Sequence, residues 1–128
     1  MRRAVLGLAV LVLALSAEVR AAEPMRTIVY FSSWSALIDK PAQNAIDDMA
    51  AKAKARADAR LALIGYASTV GSTAANTLLA ELRAQVVLDA LVAEGVPASR
   101  ITLRSVGATN FVLDPIESRR VEITLGEP

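Results

Sequence analysis

A chain of 128 residues with 54% apolar content suggests a single folded domain with enough material for a modest core. Its 14 basic and 13 acidic residues give a formal charge of +1, and it contains neither histidine nor cysteine. This balance argues against a nucleic-acid partner, because phosphate contacts need a basic stripe; it also excludes disulfides, thiol catalysis, thiolate metal sites and the commonest general base.

The chain opens with Arg2 and Arg3, then an uncharged Leu/Val/Ala-rich run over residues 4–17, then Val19, Arg20 and Ala21 in a small-x-small pattern. A bilayer-spanning helix needs ~20 apolar residues, so the run reads as a signal peptide over residues 1–21, cleaved before Ala22. Cleavage after Ala17 and retention as an anchor are the alternatives. No cysteine stands near the site to carry an acyl chain. Without residues 1–21 the chain has 11 basic and 12 acidic residues, a formal charge of −1. Residues 22–25 form a lead-in and residues 26–126 the domain.

Residues 26–31, rich in β-branched and aromatic side chains, predict a strand. A polar turn around the sole tryptophan, Trp34, follows. Asp39 then caps a helix whose first turn tolerates Pro41. Its apolar face is Ala42, Ala45, Ile46, Met49, Ala50 and Ala53, with Asp48 and Lys52 paired one turn apart on the solvated side. That helix ends near Ala57 or Asp58. Residues 61–65 are short and continuously apolar, as in a central strand covered on both faces.

Residues 66–73 form a loop, and Ser72 or Thr73 caps the next helix. In that helix Leu79, Leu82, Val86 and Ala90 are expected to face the core, with Leu78, Val87 and Leu91 widening the stripe. Arg83 lies on its flank. Gly95 is the left-handed stop, and Pro97 blocks continuation. Ile101, Leu103 and Ser105 alternate with polar neighbours in a third strand. In the fourth, Val121, Ile123 and Leu125 are expected to be buried, with Arg120, Glu122 and Thr124 facing water. The resulting order is β-α-β-α-β-β. It predicts an α+β two-layer sandwich, a mixed sheet with both helices on one face.

Gly65, Tyr66, Gly71, Ser72, Asn76, Leu79, Arg83, Ala84, Val87, Leu91 and Gly95 form an ungapped pattern that closely resembles the signature of the OmpA-like C-terminal domain family. The resemblance extends over roughly residues 27–125, with residues 117–123 resembling the closing strand. It implies a periplasmic module, or one associated with the outer membrane, that holds peptidoglycan without covalent linkage. In that family a loop aspartate and a helix arginine clamp the diaminopimelate of the stem peptide. That zwitterion presents an ammonium beside a carboxylate, and an arginine fork suits the carboxylate. The resemblance implies this role for Arg83, with Asn76, Ser68, Thr69 and Arg119 shaping the ligand site.

Ser68 stands where the family usually has the aspartate. A hydroxyl accepts a hydrogen bond from an ammonium but cannot neutralise it, so the loss is roughly ten- to a hundredfold at about 1.4 kcal/mol per decade. Three outcomes follow: weak residual binding, a shifted ligand preference, or a ligand-deficient module acting through contacts with other envelope proteins.

Plainer readings stand beside these. Arg83 could pair with Glu81, Asp89 or a terminal carboxylate, and Ser68 could bond its own turn. Asn76 could simply pack the loop, and Arg119 and Arg120 could be strand-face charges. Trp34 is either a sugar-stacking platform or an anchor at the core edge. Asp47 and Asp48 diverge around a helix, so they form a solvated face and no acid/base pair. The serines lack a histidine base, and no phosphate-cradling loop or metal-ligand cluster is present. An enzyme, a metal and a cofactor are not expected, and oligomeric state is left open.

Overall fold

The computed structural model describes residues 23–108 and 117–126; the signal peptide expected over residues 1–21 lies outside them. Four strands and two long helices follow in the expected order: β1 (Met25–Tyr30), α1 (Lys40–Ala55), β2 (Leu61–Ala67), α2 (Thr73–Ala93), β3 (Ile101–Ala108) and β4 (Arg120–Leu125). β1 therefore starts within the expected lead-in, at Met25. The sheet order is β1-β4-β2-β3. β4 runs antiparallel to both β1 and β2, whereas β2 and β3 are parallel, so the sheet is mixed.

The register aligns the inward residues across the sheet. Met25, Leu125, Leu61 and Ile101 share one row, and Val29, Val121, Gly65 and Ser105 another. Paired residues point to the same face, and both helices pack on this one, with α1 against β1 and α2 against β2 and β3. Val29, Leu61, Leu63, Val121, Ile123 and Leu125 meet Ile46, Met49 and Ala53 of α1 and Val87 and Leu91 of α2 in one core.

Only one face of β2 is covered, contrary to the two-sided burial expected. Leu61, Leu63, Gly65 and Ala67 are buried, while Ala62, Ile64 and Tyr66 are half-buried. The apolar run is continuous because the open face also carries packed aromatic and aliphatic groups, not because a second layer covers it.

Glu122 is a second correction. It lies on the open face yet is buried. Arg26 and Arg120 both donate to its Oε1, and the Tyr66 hydroxyl donates to Oε2 at 3.4 Å. The Arg120 guanidinium lies 3.8 Å from the Tyr66 ring centroid, shielding the carboxylate it pairs with.

The helix ends follow their local chemistry. Asp39 Oδ1 accepts from the Ala42 N–H at 2.9 Å and caps α1, with Pro41 in the first turn. α1 stops at Ala55, slightly earlier than expected. Ser72 Oγ accepts from Ala75 N–H at 3.3 Å and caps α2. At its other end Gly95 adopts φ +96°, and the Val96 N–H reaches back to Leu91 O at 3.1 Å. That is a left-handed stop which a residue with a Cβ resists.

Candidate ligand-binding site

The position of α2 determines the site. A Cβ placed on Gly65 would lie 2.2 Å from the Ala80 carbonyl oxygen and 3.0 Å from Ala84 Cβ. The missing side chain in β2, with alanines at positions 80 and 84, lets helix and strand approach backbone to backbone. This contact sets the phase of the helix. The buried residues are Asn76, Ala80, Arg83, Ala84, Val87 and Leu91. Leu82 is 51% exposed and Leu78 is 66% exposed, so the expected Leu79/Leu82/Val86/Ala90 stripe is rotated from the true one. Large apolar residues drew the sequence reading to the wrong stripe, because the close approach selects small ones.

This rotation carries Arg83 inward. It is 1% exposed, not on the flank, and it pairs with neither Glu81 nor Asp89. Its Nε donates to Ser35 O at 2.8 Å, Nη1 to Tyr66 O at 3.2 Å and Nη2 to Ser32 O at 3.1 Å. Its guanidinium also lies 5.5 Å from the Phe31 ring centroid. Thus one side chain on α2 ties the segment after β1 to the end of β2. Burial, and secondarily repulsion from Arg119, lowers its pKa to about 10, which leaves it charged at neutral pH. A guanidinium carries five N–H donors, and three are used here, so two have no partner among the described residues.

Arg83 lines a cavity of about 190 Å³ together with Ser33, Trp34, Ser68, Val70, Asn76, Leu79 and Arg119. Arg119 precedes β4, and its Nε donates to Phe31 O at 3.0 Å. Two arginines therefore face one small space, and none of the described residues lining it is acidic.

Asn76 is 1% exposed, near the start of α2. Its Nδ2 donates to Val70 O at 2.8 Å and Ser72 O at 3.0 Å. Two carbonyl partners fix that end of the amide as the nitrogen, so Oδ1 is the other end. Oδ1 is buried with no hydrogen-bond partner among the described residues. A buried, unpaired acceptor of this kind costs ~1–3 kcal/mol.

Ser68 lines the cavity, but its hydroxyl accepts from the Val70 N–H at 3.0 Å and so closes a turn. Thr69, adjacent to it, is exposed and does not line the cavity. Four of the five expected site residues thus converge: Arg83, Asn76, Ser68 and Arg119. The sequence reading did not place Ser33, which lines the cavity with Val70, at the site. The Gly71 backbone at φ +90°, within 3.3 Å of the Trp34 ring at its would-be Cβ, brings their loops together. Trp34 itself is 60% exposed at φ +53°, so it stands at the cavity wall and anchors no core edge.

A sequence model of the OmpA family matches residues 30–120. Outer membrane protein A of Serratia odorifera is 33% identical over 92 residues, 70% of this chain and 38% of that protein. Outer membrane protein A of Klebsiella pneumoniae is 46% identical over 55 residues, 43% of this chain and 16% of that protein. The chain spans well under half the length of these curated relatives. Among solved structures, the OmpA-like domain of FopA1 from Francisella tularensis superposes with a TM-score of 0.71 at 23% identity, covering 79% of this chain and 71% of that one. The peptidoglycan-associated lipoprotein from Burkholderia pseudomallei gives 0.69 at 21% identity, covering 77% and 88% respectively. At these identities the likeness is one of fold.

Proposed function

Because the chain belongs to the OmpA family, we propose that it is an exported, periplasmic envelope module that associates non-covalently with peptidoglycan, holding the diaminopimelate of the stem peptide in the Arg83 cavity. The observation that carries this reading is the buried Arg83, charged and with two N–H donors unpartnered among the described residues, beside Arg119 in one cavity. Such a pair suits a carboxylate, since an arginine fork can engage both oxygens. The module is a binder, not an enzyme.

A second reading has one observation in its favour. The Ser68 hydroxyl is already engaged by Val70 N–H, so it offers an ammonium little. On that reading the domain acts through contacts with envelope proteins, and the cavity is a remnant.

Sedimentation with purified sacculi separates the two. The parent protein should pellet with the wall, and Arg119→Gln should weaken pelleting about tenfold while leaving the melting temperature within a few degrees. Binding should also fall as salt rises, because a partly exposed charge pair is screened. A parent that stays in the supernatant at low salt would overturn the peptidoglycan reading.

A further inference from the structure

The charge of the cavity bears on which end of a ligand it accepts. Among the described residues its lining carries two guanidinium groups and no carboxylate, with serine at the loop position where an acid would balance them. An ammonium entering this space meets two like charges at short range in a half-desolvated setting, where such repulsion is strong. A carboxylate entering it meets two attractive ones.

The unpaired acceptor found among the described residues is neutral. Asn76 Oδ1 is buried without a partner, and the orientation of its amide is fixed by Val70 O and Ser72 O. A neutral amide oxygen also accepts from a neutral N–H, which brings no charge to repel the two arginines. The cavity's volume, about 190 Å³, falls below the ~300–1,000 Å³ of pockets that enclose a whole drug-sized molecule, so it takes one end of a ligand.

We infer that the cavity selects a carboxylate whose neighbouring nitrogen is acylated, an N-acyl amino-acid end with a neutral N–H, over the zwitterionic end of a free amino acid. Arg83 and Arg119 hold the carboxylate, and Asn76 Oδ1 accepts the amide N–H. This rests on the proposed function, since it concerns the same cavity. It goes further in assigning this chain a preference for amine-blocked stem-peptide ends, opposite in charge logic to a site with a loop acid. Cross-linking or other acylation of the amine would then create the preferred epitope.

The test titrates the full chain with three soluble probes, followed by ligand-observed NMR: meso-diaminopimelate, its N,N′-diacetyl derivative, and the diamide of that derivative. The diacetyl compound should bind at least about tenfold more tightly than the free diamine, and the diamide should not bind. Ser68→Asp, at a half-buried loop position, should reverse the order of the first two. A parent that prefers the free diamine, or that binds the diamide as well as the diacid, would overturn the inference. So would a parent that binds none of the three. Sacculus sedimentation run alongside keeps the two readings apart: pelleting with the wall while preferring the free diamine sinks the ligand preference and leaves wall association standing.

Discussion

Gly65→Ala tests the contact on which the site depends. The added methyl would sit 2.2 Å from the Ala80 carbonyl oxygen and 3.0 Å from Ala84 Cβ. Carbon–oxygen contacts settle near ~3.3–3.6 Å, so α2 must retreat by about 1 Å. The obstructing atom is backbone, so no rotamer change relieves it. Overpacking of this kind costs ~1–3 kcal/mol. Arg83 lies three residues beyond Ala80 on the same helix face, and its three bonds to Ser32, Ser35 and Tyr66 lengthen with the retreat. Hydrogen bonds from a charged donor contribute ~1.5–3 kcal/mol each, so even partial loss adds to the cost. We expect a total of about 3 kcal/mol. For a domain this size each kcal/mol lowers the melting temperature by ~4–8 °C, giving a drop of roughly 12–24 °C by calorimetry or circular dichroism. A fall below about 4 °C would refute the backbone approach and with it the assigned phase of α2.

Two further outcomes follow from the same geometry. Leu91→Ala, at a position with no solvent exposure, should cost ~2–5 kcal/mol in a urea titration, while Leu82→Ala should cost under about 1 kcal/mol because its side chain is half in water. The pKa of Arg83 is lowered on folding, so the folded state holds that proton less tightly than the unfolded one. Its burial penalty is complete below about pH 10 and lifts as pH rises through that value, whereas carboxylate binding is lost there. Binding to the diacid measured from about pH 6 to pH 9 should therefore be level, and a step near neutrality would point to a different cation.

The order of elements and their caps were legible because local chemistry decides them. Asp39 and Ser72 cap, Pro41 starts and Gly95 stops, each through bonds within a few residues. The β4 alternation was equally readable at Val121, Ile123 and Leu125, which are all buried. What escaped was decided by contacts far apart in sequence. The phase of α2 depends on Gly65, and hydrophobicity alone favoured Leu82 over Ala80 and Ala84. Glu122 looked like a solvated strand residue because its partners Arg26 and Tyr66 lie 96 and 56 positions away. Arg83 had the right neighbourhood but the wrong exposure, since its three acceptors are backbone carbonyls and carry no sequence signal. Four expected residues still line the cavity, because the motif places a loop and a helix start side by side.

The strand order also constrains when this protein can fold. β4, last of the four strands to be synthesised, is inserted between β1 and β2, which have no ladder with each other. Until residues 120–125 arrive, β1 has no strand to pair with, and β2 can join only β3. A nascent or partly threaded chain thus holds at most half a sheet, with Val29, Leu61 and Leu63 uncovered at the gap. Such a chain exposes two sticky strand edges until β4 arrives. Closure of the sheet, completion of the core and delivery of Arg119 to the cavity become a single late event.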